Sequence, residues 1–148
     1  MSTRPETPAR SLALRFLRDA RTALEDRARR GYPHEVCGLL VGRRDERGAA
    51  IYEVTESRNL EPIRARDRYT LDPLHLLTVE EDARARGLDV LGVWHTHPDH
   101  PALPSETDRA AAWEGWSYVI ASVLGGEVAD VRSWQLEGDA FVEEEVAS

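Results

Sequence analysis

Residues 88–108 read LDVLGVWHTHPDHPALPSETD. The first eight, from Leu88 to His95, read as a buried strand. His95 and His97 stand two apart where that strand ends. A strand repeats every two residues, so both rings point to one side. Pro98 stops the strand, and the run to Pro104 makes a constrained loop that returns the chain at Ser105 and Asp108. Two neutral imidazoles and one carboxylate can grip a divalent ion and leave a fourth position open to water, as a catalytic zinc site requires. A second reading competes for the same residues. Ser-Glu-Thr-Asp has the form of a capping box, in which Asp108 reaches back to the Ser105 amide and needs no metal. On this reading Asp108 does not readily serve the amide and the ion together.

The remaining chain supplies a frame for that strand. Leu12, Phe16, Ala20, Ala23, Leu24 and Ala28 share a helical face, which predicts a helix over 12–30, capped by Ser11 and ended by Gly31. The arginines on its other face read as a solvated surface. VCGLLVG (36–42) and IYEVTES (51–57) predict an antiparallel pair across the charged turn RRDERG. SRNLEPIRARDR (57–68) reads as a surface loop. Asp72 followed by Pro73 marks a second helix start, with Leu74, Leu76, Leu77 and Ala83 as its apolar side and His75 on its surface. A short helix from Ser105 to about Gly115 is expected next. Strands follow at 117–123, 128–136 and, weakly, 140–145. This order predicts an α/β or α+β fold with a mixed sheet. Residues 1–10 are expected to be loose, 11–143 to form one domain, and 144–148 to be a frayed acidic tail.

Composition removes several function classes. With 148 residues the chain suits one domain with a real core. Its formal net charge is −8, which disfavours general nucleic-acid binding. A single cysteine, Cys37, excludes an internal disulfide and any zinc site built on several thiolates of one chain. The absence of an apolar run of signal or membrane-span length makes a cytoplasmic protein the expectation. Hydrolysis also needs a base within reach of the attacking water. Glu35, directly before the buried run at 36–42, is the candidate.

Glu35, His95-x-His97, Ser105 and Asp108, with PHEVCGLLVG upstream, resemble the JAMM motif of the metal-dependent MPN (Mov34/PAD-1) family. The resemblance runs from about Ser11 to Val142. It implies that His95, His97 and Asp108 ligate zinc, that Glu35 handles the proton of the attacking water, and that Ser105 steadies the developing oxyanion. It implies a curved mixed sheet flanked by helices. The short chain is similar to the compact prokaryotic branch, whose members cut after the terminal Gly-Gly of ubiquitin-like or sulfur-carrier proteins. Alternatives are a non-catalytic metal-binding MPN scaffold and a DNA-repair-associated relative. The sheet edge near Glu35, or the loop at 58–68, could groove an extended glycine tail, and Arg64 and Arg66 could meet an acidic carrier. Cys37, Trp94, Trp113, Trp116 and Trp134 read first as packing. His34 could orient Glu35, His100 is expected to be exposed, and Asp99 has no assigned role.

Overall fold

The computed structural model describes residues 13–61 and 69–147. The elements are β1 (Ala13–Phe16), α1 (Ala20–Gly31), β2 (Cys37–Asp45), β3 (Gly48–Val54), α2 (Pro73–Ala85), β4 (Asp89–Pro98), α3 (Glu106–Ala110), β5 (Ser117–Leu124), β6 (Glu127–Glu137) and β7 (Ala140–Ala147). The strands make a mixed sheet in the order β1-β3-β2-β4-β5-β6-β7, closed into a barrel. Closure falls to β1, which pairs in parallel with β3 on one side and β7 on the other. β4 and β5 are also parallel, and the other neighbours are antiparallel. The expected mixed sheet with flanking helices is therefore present, with its two edges joined.

Three expectations need correction. Residues 13–16 form a strand, not the first turn of a helix. Leu14 is fully buried, and pairing on both flanks outweighs the local helical pattern. The helix begins only at Ala20, after Arg18 turns the chain with φ 53°. The expected cap Ser11 and the segment 1–10 lie outside the described residues. In α2, Asp72 accepts from the Leu74 amide at 3.0 Å and Pro73 opens the first turn, as expected. Its apolar face differs: Leu76, Val79 and Ala83 pack inward, while Leu74 and Leu77 are exposed. His75 is half-buried, its Nε2 2.8 Å from Thr55 Oγ1. Finally, the acidic end is no frayed tail. β7 continues to Ala147, and Glu144 is buried, accepting from Ser117 Oγ, Ser133 Oγ and Gln135 Nε2 at 2.8–3.0 Å. Three donors replace the hydrogen bonds that water would otherwise give the carboxylate.

The sheet has two apolar faces. Leu24 and Ala28 of α1 pack with Leu40, Ile51, Trp94 and Val119. On the opposite face Leu39, Val93 and Tyr118 pack with Leu76 and Val79 of α2. Val93 and Trp94 are neighbours in β4 yet face opposite ways, as strand alternation demands. His95 and His97 therefore share the side of Val93 and α2. Trp94 is wholly buried and donates from Nε1 to Thr55 O at 2.6 Å. Gly38 permits that contact, because a Cβ there would lie 1.8 Å from Thr55 O and 2.5 Å from Trp94 Nε1. Among the described residues, no helix is long and apolar enough to cross a membrane.

Candidate metal centre

The loop after β4 is tied to the sheet at several points. The Asp99 amide donates to Val123 O at 2.6 Å. Its carboxylate accepts from Tyr32 Oη and the Gly125 amide, which gives this unassigned residue a corner-holding role. Ser122 Oγ donates to His100 O at 2.6 Å, and Trp134 Nε1 to Ala102 O at 3.1 Å. Ala102 itself is buried. The loop thus delivers Ser105 and α3 to a fixed place. That helix is shorter than expected and ends at Ala110.

Asp108 caps its helix and still faces the histidines, so the cap does not exclude a ligand role. The capping box is complete: Ser105 Oγ accepts from the Asp108 amide at 3.0 Å, and Asp108 Oδ2 accepts from the Ser105 amide at 2.9 Å. The same carboxylate faces the histidines, with Oδ1 3.3 Å from His95 Nε2 and Oδ2 3.2 Å from His97 Nε2. The two Nε2 atoms are 3.2 Å apart. A tetrahedral ion about 2.05 Å from each donor sets the donors about 3.3 Å apart. The three separations are close to that value, although they reach both carboxylate oxygens, and one donor atom from each residue lies within 4.8 Å of the others, so the group can hold a metal ion. The Ser105 amide does not draw Asp108 away from the histidines, because a carboxylate has several lone pairs on two oxygens.

Electrostatics suit the arrangement. Burial disfavours a charged Asp108, but the His95 and His97 rings and the Ser105 amide outweigh it and hold the carboxyl far below its usual range. Burial keeps His95 below the ordinary imidazole value, hence neutral near pH 7. Burial also opposes charge on His97, but the Asp108 carboxylate, the Pro101 carbonyl and Glu35 outweigh it and raise its value. His97 Nδ1 sits 2.8 Å from Pro101 O, which aims Nε2 at the other donors.

Glu35 is buried and lines a cavity of about 310 Å³ with His97, Ser105 and Asp108. The structure therefore brings all five expected site residues to one place. Of the remaining candidates, His100 lines the same cavity and His34 is exposed. Cys37 is fully buried opposite His95 in the β2–β4 ladder. Burial and then the Glu35 charge push its thiol up to about 12, so it stays protonated. Trp113 is exposed rather than packed, edge-on to Trp116 in an adjoining groove of about 260 Å³. Arg64 and Arg66 lie outside the described residues.

Two residues went unread in the sequence. Tyr69 lines both the cavity and the groove, and its ring stacks on His95 at 4.4 Å. Asn59 joins separate segments: Nδ2 donates to Glu35 O at 3.1 Å, while Oδ1 accepts from the Thr70 amide at 2.9 Å. No local periodicity marks either one, because each acts on residues far away in sequence.

A model of the prokaryotic homologs of the JAB domain matches residues 17–137. The chain belongs to this family. A desampylase from Haloferax volcanii is 36% identical over 93% of this chain and 97% of its own length. A probable TtuB-protein conjugate cleaving protease from Thermus thermophilus is 40% identical over 63% of this chain and 59% of its own. A JAB1/MPN domain protein from Archaeoglobus fulgidus, 18% identical, matches with a TM-score of 0.56 over 93% of this chain and 98% of that one, a likeness of fold.

Proposed function

We propose that this JAB-family chain is a zinc-dependent cytoplasmic isopeptidase. It cuts the peptide or isopeptide bond after the C-terminal Gly-Gly of a ubiquitin-like or sulfur-carrier protein. The observation that carries this reading is the cluster of His95 Nε2, His97 Nε2 and the two Asp108 carboxylate oxygens, at separations of 3.2–3.3 Å, beside a cavity lined by Glu35. The names of the relatives from Haloferax and Thermus support the substrate class.

His95, His97 and Asp108 would hold the ion. When bound, zinc supplies Lewis acidity to the scissile carbonyl and makes water a competent nucleophile near neutral pH. Nitrogen and oxygen donors with an open position suit zinc, and iron or manganese could use the same set. Glu35 takes the proton of the attacking water on its carboxylate and passes it to the leaving nitrogen. Ser105 Oγ accepts from the Asp108 amide, which leaves its own hydrogen to donate to the carbonyl oxygen as charge develops there. Tyr69, Leu103 and Thr107 narrow the same cavity. A Gly-Gly tail suits that space because it brings no side chain into it.

The test uses purified chain and a carrier fused through its Gly-Gly end to a reporter. Wild type cleaves, chelation stops cleavage, and added zinc restores it. Glu35→Gln lowers turnover by roughly 10²–10⁴-fold while its zinc content stays at the wild-type level. A Glu35→Gln variant that cuts at the wild-type rate removes Glu35 from the mechanism.

A further inference from the structure

The two candidate histidine ligands are aimed by different means. His97 has a hydrogen-bond partner for the nitrogen that does not face the metal, with Nδ1 2.8 Å from Pro101 O. His95 has none. Its Nδ1 is buried without a hydrogen-bond partner among the described residues, although its residue is wholly inaccessible to solvent. A ligand imidazole usually gives its second nitrogen to a carbonyl, carboxylate or water, and that bond fixes both tautomer and ring angle. Something else must hold the His95 ring.

The ring of Tyr69 lies over it, with centroids 4.4 Å apart and planes inclined by 25°. That is a stacked pair, whereas His95 and His97 meet edge-on at 5.0 Å and 61°. Tyr69 is itself held in place. The next residue, Thr70, donates its amide to Asn59 Oδ1 at 2.9 Å and accepts from the Leu60 amide at 2.9 Å. Leu71 then pairs with Asn59 as an isolated bridge. The aromatic ring is therefore presented from a braced backbone.

We infer that Tyr69 is a positioning residue for metal binding, its stacked ring setting the angle of His95 in place of the absent hydrogen bond to Nδ1. The inference rests on the proposed metal site. It assigns the work to the ring and not to the phenol hydroxyl. Tyr69→Phe keeps the ring and Tyr69→Leu removes it while retaining apolar bulk, so the two variants separate these roles. It also requires an effect on the metal before any substrate is present.

The experiment measures zinc affinity of the purified full chain by competition with a chromophoric chelator. It records the visible spectrum of each cobalt(II)-loaded protein and the thermal melting of each metal-free one. Tyr69→Phe is expected to bind zinc within about twofold of wild type and to keep its cobalt bands. Tyr69→Leu is expected to bind roughly tenfold more weakly, the lower end of the usual effect of losing a ligand's supporting partner. Its cobalt bands should also shift. Metal-free Tyr69→Leu should melt cooperatively, and Tyr69→Trp serves as a second ring-bearing variant that restores affinity if it folds. Equal zinc affinities and unchanged cobalt bands in Tyr69→Leu and wild type overturn the inference. So does a Tyr69→Phe variant as weak as Tyr69→Leu, since the hydroxyl would then be the active part. A wild-type chain that takes up no metal brings down the metal-site reading and this inference together. Wild type that binds zinc while the variants fail to differ removes the stack alone.

Discussion

The two walls of the metal centre are built in different ways. One wall is a continuous stretch, from His97 through the loop to Asp108, and β5 and β6 grip it at His100 O and Ala102 O. The other wall joins Glu35, Asn59 and Tyr69 from three separate stretches. There a single amide side chain bridges Glu35 O and the Thr70 amide. Both walls have several ties, the Leu60 amide to Thr70 O and the Val36 amide to Thr96 Oγ1 among those of the second, but there one side chain touches two segments together. A lost tether in the first removes one contact, whereas losing the Asn59 side chain removes a contact from each of two segments at once. The more dispersed wall carries the proposed base, whose position the chemistry tolerates least.

The severest way to break the first wall is to remove the residue that serves metal and helix together. Asp108→Ala should lower turnover to the chelated background and sharply weaken zinc binding. Melting should also show about 1 kcal/mol of lost stability from the broken cap. Asp108→Asn separates the two jobs. Its amide oxygen can still accept from the Ser105 N–H, so stability should return toward wild type while zinc binding stays poor. Full zinc affinity in Asp108→Ala would remove this residue from the metal centre.

The second wall should break at Asn59. Asn59→Ala leaves Glu35 O and the Thr70 amide without this partner, a cost of roughly 1–3 kcal/mol where they are shielded from water. Displacing the base segment should also lower turnover by about 10–100-fold. The comparison predicts that this exceeds the effect of any single loop tether. Denaturant melts and turnover measured on one preparation decide it, and a variant as active as wild type would show that the wall stands without its bridge.

That asymmetry also explains what could be read in the amino-acid order. The His95-x-His97 spacing, the Ser105–Asp108 pattern and the Asp72–Pro73 cap are local, and local rules of strand period and helix start describe them. The barrel's closure depends on β1 meeting β7, which is a long-range event. Nothing within ALRF announces it, and the segment fits a helical stripe when read alone. Leu74 and Leu77 misled for a related reason. α2 has apolar residues on more than one side, and only the sheet against which it packs decides that Leu76, Val79 and Ala83 turn inward. Glu144 reads as tail until three donors from neighbouring strands surround it. Glu35 was marked by its place directly before the buried run at 36–42 and again by the family pattern, whereas Asn59 and Tyr69 carry no comparable local mark.

A milder change sharpens the contrast from the other side. Trp134→Phe keeps the aromatic bulk and deletes the N–H that donates to Ala102 O at 3.1 Å. The expected loss is about 1 kcal/mol. Turnover should stay within about twofold, because Ser122 and the Asp99 amide still hold the loop. A drop as large as that of Asn59→Ala would mean that the first wall also hangs on one contact.

The smallest expected effect is at Cys37, which lies beneath the second wall. Its thiol is fully buried and pushed up to about 12, chiefly by burial and then by the charge of Glu35. At pH 8 the folded chain should therefore resist iodoacetamide, with and without zinc, and react once denatured. The pH dependence has a definite sign. An unfolded thiol ionises near 9.0, whereas the folded one keeps its proton to about 12. Between those values the unfolded chain binds fewer protons, so this contribution is present below pH 9 and declines as pH rises. Labelling that accelerates when zinc is withdrawn, with global melting unchanged, would reveal local opening of the second wall and place the contrast in the metal-free protein itself. Equal resistance in both forms would place it in the response to substitution alone, since Asn59 would then hold that wall closed without help from the ion.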